Sequence, residues 1–134
     1  DKEGFSTYAK DVAMQIAAIN PAYLERSEVP AEVIAKEKEI LMAQIQGDEK
    51  LKNKPAQVIE KMVEGKIGKY YKENCLLEQA FVKDGNINVQ KYTDDTAKAL
   101  GGSIKIVRFV RFEKGEGLEK REDNFADEVA GMVK

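Results

Sequence analysis

Histidine and tryptophan are absent from the 134 residues, cysteine occurs once and proline three times. Each scarcity removes a class of function. Without histidine there is no Ser-His-Asp or Cys-His catalysis, and most zinc sites and the commonest general base at neutral pH go too. Cys75 alone can form neither an intrachain disulfide nor a thiol cluster, and such sparing use of cysteine fits a reducing compartment. Glu73 beside it disfavours the thiolate, so a buried, inert thiol is expected. The net charge of −2 lacks the basic excess of a nucleic-acid binder. Lys61, Lys66, Lys69 and Lys72 make a local basic stretch, but acids lie among them. No apolar run approaches the ~20 residues that span a bilayer, and no charged-then-apolar leader opens the chain. The expected location is the cytoplasm, or an organelle matrix in a eukaryote. The opening at Asp1, with no initiator methionine and already helix-like, reads as a trimmed fragment whose amino-terminal neighbour is missing.

Charge and periodicity supply the rest. Hydrophobic residues make up 43% and charged residues 34%, enough apolar mass for one or two small cores under an ionic surface. Strings such as EVIAKEKEI and GLEKRED alternate in sign, the pattern of solvated helix faces. Tyr8, Val12, Ile16 and Ile19 form a helical stripe, with Ser6 as a candidate N-cap and Asn20-Pro21 as the stop. A second helix opens at Pro30, carries Val33, Ile34, Ile40, Leu41 and Ile45, and ends at Gly47. A polar turn leads to Pro55 and a third helix with the cleanest stripe: Val58, Ile59, Met62, Val63, Ile67, Tyr70 and Tyr71. Helices joined by so short a turn pack antiparallel. Their charged outer faces predict a projecting hairpin over 30–71. Gly65 and Gly68 each cost the third helix ~1 kcal/mol relative to alanine, which points to a bend or close packing.

Beyond the hairpin, Cys75 to Val82 fits helix or strand, Asp84-Gly85-Asn86 reads as a turn, and Val89 to Leu100 as a helix stopped by Gly101-Gly102. Ile104 to Glu113 is the strongest strand signal. Alternation predicts Ile104, Ile106, Arg108, Val110 and Phe112 on one face, and Lys105, Val107, Phe109, Arg111 and Glu113 on the other. A turn at 114–117 and a last helix through Phe125, Val129 and Met132 complete the reading. The fold class is α+β and mostly helical, with an antiparallel helical hairpin (a coiled coil) projecting from a small antiparallel sheet. Residues 1–29 and 72–134 make the core, and 30–71 is inserted. A lone strong strand needs a partner for its edges. That partner lies after Gly117, upstream of the chain, or in a second subunit.

No constellation for catalysis emerges. Gly115-Glu116-Gly117 lacks the further glycine and the Lys-Ser pair of a phosphate loop, and Glu116 repels phosphate. Tyr70 and Tyr71 are placed for packing rather than base stacking, and the carboxylates on charged helices are solvated. A small enzyme using carboxylates is the weakest reading, and recognition of another protein is the strongest.

Specific strings then carry a resemblance. AMQIAAINPAYLERSEVPAEVIAKEKEI, KPAQVIEKMVEGKIGKYYKENCLLEQAFVKD and GGSIKIVRFVRFEKGEGLEKREDNFADEVA are spread over residues 13–130. They resemble, in order, the Asn-Pro helix end and following helix, the return arm, and the closing strand of bacterial-type translation elongation factor Ts. The likeness is to the carboxy-terminal, partner-binding part of a short, single-repeat member. It implies a guanine nucleotide exchange factor that speeds GDP release from elongation factor Tu by binding, with no covalent chemistry, cofactor, metal, direct nucleic acid or membrane. It implies a homodimer whose sheets meet around Val110, with Ile106 and Phe112 in the interface. It implies partner contacts at Gln15, Ala18 and Asn20, although the family often carries histidine at the position of Gln15. It implies further contacts at Leu100 and Gly101, beside an intruding Thr-Asp-Phe that belongs upstream of Asp1. The alternative is a non-catalytic helical-hairpin module that dimerises or docks on some other partner.

Overall fold

A computed structural model describes residues 3–119. Helix α1 spans Phe5–Ile19, α2 Ala31–Gly47, α3 Ala56–Asn74 and α4 Val89–Ala99. Strands β1, Ala80–Phe81, and β2, Asp84–Asn88, form one antiparallel pair, and single 3-10 turns occupy Arg26–Glu28 and Leu76–Glu78. The protein is α+β and mostly helical.

Local chemistry explains most boundaries. Ser6 lies inside α1 rather than capping it. Gly4, at φ 94°, takes the cap position, where a residue with a Cβ is strained. Asn20 ends α1 in the left-handed region at φ 52°, returning its N–H to the Ile16 carbonyl, and Pro21 prevents another turn. Pro30 and Pro55 stand immediately before α2 and α3. The Asn88 side chain accepts a 2.8 Å hydrogen bond from the Lys91 N–H at the start of α4.

Apolar residues gather in two places. Ile45, Val63 and Ile67 are buried where α2 and α3 pack antiparallel, with Ile34, Leu41, Leu51, Ile59 and Tyr71 half-buried around them. Tyr8, Val12, Leu24, Leu76 and Val89 form the other cluster. Between them the chain stitches itself together at the foot of the hairpin. Ala22 and Tyr23 donate backbone bonds to the Asn74 carbonyl, and Leu76 and Leu77 donate to Tyr23 and Leu24. Arg26 pairs with both carboxylate oxygens of Glu78 while its guanidinium sits 4.6 Å from the centre of the Tyr71 ring.

Three expectations need correction. Residues 84–86, read as a turn, begin strand β2. Asp84 Oδ1 accepts the Asn86 backbone N–H at 3.0 Å, so the tight turn and the strand overlap. Of the bend or close packing expected at Gly65 and Gly68, close packing is not found among the described residues. α3 passes through both, and nothing lies within 4 Å of where their Cβ atoms would stand. Residues 104–113, the strongest strand signal, join no ladder, because none of the described residues forms a strand beside them. The expected helix through Phe125, Val129 and Met132 lies outside the described residues.

Candidate partner-docking surface

Helix α1 is the element around which the candidate contacts are arranged, and its interior face is unusually polar. Gln15 is fully buried. Its amide nitrogen donates to the Ala80 carbonyl at 3.0 Å and lies 3.4 Å from Gln79 Oε1. Its oxygen accepts from the Val82 backbone N–H at 2.9 Å. Gln79, also buried, donates onward to the Glu73 carbonyl. Gln15 thus satisfies backbone groups that the short, irregular β1–β2 ladder leaves over, and Gln79 serves the end of α3.

One turn earlier, the buried Asp11 accepts from Lys83 Nζ at 2.6 Å and from the Tyr92 hydroxyl at 2.7 Å. The Lys83 and Tyr92 hydrogen bonds hold its carboxyl below the usual range. Burial and the bond to Asp11 push the Tyr92 hydroxyl up to about 12. Tyr92 also stacks on Phe81 at 4.1 Å and lies 5.5 Å from Tyr8, whose hydroxyl meets Thr93 at 2.8 Å. These contacts lock α1 against α4 and the strand pair.

What α1 presents outward is therefore limited to its ends and one side. Ala18 and Asn20 are exposed at its carboxy-terminal end. At the other end, a Cβ on Gly4 would stand 3.5 Å from Leu100 Cδ2, so Leu100 lies over the start of α1. Gly101, exposed and at φ 63°, supplies the left-handed residue that ends α4. The two pairs are brought to opposite ends of one rod, about 21 Å apart at ~1.5 Å per residue. Gln15 joins neither pair. With its amide committed inside, it presents no atom to a partner.

The segment 104–113 keeps its alternation only in part. Ile104 and Ile106 pack on the Tyr8 cluster, and so does Phe109. Val107 and Arg108 are exposed in succession, so the facing shifts by one residue between them, as across a bulge. Val107, Val110 and Phe112 point outward at 73%, 63% and 91% exposure. The expected interface set of Ile106, Val110 and Phe112 is thereby divided. Ile106 supports this chain's own core, while Val110 and Phe112, like Val107, are exposed among the described residues. The signal for the shift was faint in the sequence, since both faces carry apolar bulk.

Cys75 is completely buried, and burial pushes its thiol up. Among the described residues no group of acidic or thiol side chains converges in a way that would hold a metal ion. No helix among them is long and apolar enough to cross a membrane.

Comparison with known proteins matches this amino-acid sequence to one family. The family model for elongation factor TS matches residues 1–116. Elongation factor Ts of Acetivibrio thermocellus is 53% identical over 131 residues, which is 98% of this chain and 59% of that protein. That of Desulforamulus reducens is 52% identical over 132 residues, again 98% of this chain and 59% of the relative. That of Nitratiruptor sp. is 54% identical over 125 residues, with 93% and 40% covered. The chain therefore spans three-fifths or less of the length of these curated relatives. With the match extending from the first residue through the turn after segment 104–113, the chain belongs to the elongation factor Ts family.

Proposed function

We propose that this chain carries the docking core of a guanine nucleotide exchange factor in translation elongation, whose partner is elongation factor Tu. Membership of the elongation factor Ts family is the observation that carries this reading. The geometry supports it in one respect. α1 is a rigid spacer, pinned by Asp11 and Gln15, which offers Ala18 and Asn20 at one end and Leu100 and Gly101 at the other. A rod held firmly along its middle presents contacts to two separated points of a partner at small entropic cost.

Exchange of this kind needs no covalent step. A protein that binds the nucleotide-free partner more tightly than the GDP-bound one lowers nucleotide affinity by the same factor. In this reading the chain supplies affinity. The Thr-Asp-Phe segment implied upstream supplies the disturbance of the nucleotide site. The chain also forms a homodimer, covering Val107, Val110 and Phe112.

The test is release of labelled GDP from elongation factor Tu, with this chain and with a version extended upstream through the Thr-Asp-Phe segment. The expected result is acceleration by the extended version and little by this chain. Binding of this chain to nucleotide-free elongation factor Tu by calorimetry accompanies it. Absence of both binding and acceleration overturns the reading and leaves a hairpin module for another partner.

A further inference from the structure

A shallow apolar furrow runs along one side of the helical hairpin, away from every residue of the proposed docking core. Two hollows of about 420 and 390 Å³ both reach Lys38 and together follow the seam between α2 and α3. Ala31, Ala35 and Met42 line it from α2, and Ala56, Ile59 and Val63 from α3. The three alanines and Met42 are exposed and Ile59 is half-buried, so the seam is not closed over by its own side chains. From Ala31 to Met42 the furrow is about 16 Å long, or about three helical turns.

A two-helix hairpin covers only the mutually facing stripes, and the sides of the seam stay open unless a third element lies on them. Alanines keep the walls of this side low, which lets the ridge of a further helix approach closely. The rim has a charge pattern. Glu60 and Glu64 stand one turn apart along the α3 edge, both exposed and without an ion pair among the described residues. Lys38 is the single cation lining the furrow.

We propose that this furrow docks an amphipathic helix of another protein, with an apolar stripe flanked by Lys or Arg residues four positions apart. That spacing repeats the one-turn separation of Glu60 and Glu64 on a helix lying along α3. A second copy of the hairpin is a poor occupant, because it offers the same trough, and two concave faces enclose a void. The paired carboxylates disfavour a nucleic acid. The proposal is independent of the elongation factor reading and shares no residue with it.

The experiment uses the full chain and a fluorescently labelled synthetic helix of about 14 residues, with a Leu stripe and Lys pairs four positions apart. A second peptide carries Glu at each Lys position. Anisotropy gives affinity, and backbone chemical shifts locate the site. The Lys peptide is expected to bind, with shifts along Ala31 to Met42 and Ala56 to Glu64. The double variant Glu60→Gln, Glu64→Gln is expected to weaken it roughly fivefold at low salt with an unchanged melting temperature. Met42→Asp, checked for native helicity by circular dichroism, is expected to weaken it by about tenfold or more. The proposal is overturned by equal binding of the two peptides, by shifts confined to residues 104–113, or by no binding. A self-association of the chain that the peptide displaces from the furrow also overturns it.

Discussion

The side-chain oxygen of Gln15 takes the backbone N–H of Val82 at 2.9 Å, tying the middle of α1 to the turn between β1 and β2. Val82 has lost its place in the ladder, because the register slips between Ala80 and Phe81. A side chain substitutes for the missing strand partner. Glutamine suits this position because it is an acceptor and a donor at once, and the Ala80 carbonyl is served by the same amide.

Gln15→Leu keeps the volume and removes both bonds, leaving buried backbone groups unpaired. It is expected to lower stability by about 1–3 kcal/mol in urea unfolding. Binding to elongation factor Tu, measured well below the unfolding midpoint, is expected to change little. Lost binding with intact stability would instead make Gln15 a contact residue.

Asp11 gives the chain an acid-sensitive joint. Its carboxyl is held below the ordinary value by Lys83 and Tyr92, so the folded state prefers it ionised. The resulting stability is complete above the unfolded value near ~3.9 and is lost as pH falls through the lower folded value. The stability difference between the native chain and Asp11→Asn is therefore expected to be flat from about pH 5 upward and to shrink below about pH 4. Tyr92 acts with the opposite sign. Raised to about 12, it is stabilising while neutral, and its contribution declines as pH climbs from the ordinary tyrosine value towards that one. Tyr92→Phe is expected to lack that alkaline component.

Gly65 and Gly68 weaken α3 without any contact among the described residues that requires them. Gly65→Ala and Gly68→Ala are each expected to stabilise the protein by roughly 0.5–1 kcal/mol, read as a higher melting temperature. A loss of stability at either position would show that a neighbour, such as a second subunit, closes on the helix there.

The division of segment 104–113 separates two roles that substitution can tell apart. Val110→Lys with Phe112→Lys is expected to convert the proposed dimer to a monomer in sedimentation velocity, with little change in the fold of the subunit. Ile106→Ala is expected instead to cost the subunit about 1–3 kcal/mol, since Ile106 packs on the Tyr8 cluster. A dimer untouched by the lysine pair places the interface elsewhere.

Much of the helical part is legible in the residues. The stripes of Val12 and Ile16, of Ile34, Leu41 and Ile45, and of Val63 and Ile67 have helical spacing, and the three helices that carry them end near the expected places. Stop signals such as Asn20-Pro21 and Gly101 act locally and need no tertiary partner. The candidate surface was less legible. Only likeness to a family points to Ala18, Asn20, Leu100 and Gly101, and nothing in their own chemistry marks them. The same likeness points to Gln15, and only packing reveals that it faces inward.

The sequence by itself determined where the described helices run, that this chain offers no histidine and no thiol cluster for catalysis, and which family the chain resembles. These follow from periodicity, from residue types and from specific strings, all of which are local. The tertiary structure decided what each polar group is for. Burial turns Gln15 into a backbone partner and Asp11 into the hub of a hydrogen-bonded joint. It also decided the fate of residues 104–113, because a strand is defined by the neighbour that completes its hydrogen bonds. Alternating side chains announce the tendency, but only a partner edge makes the ladder.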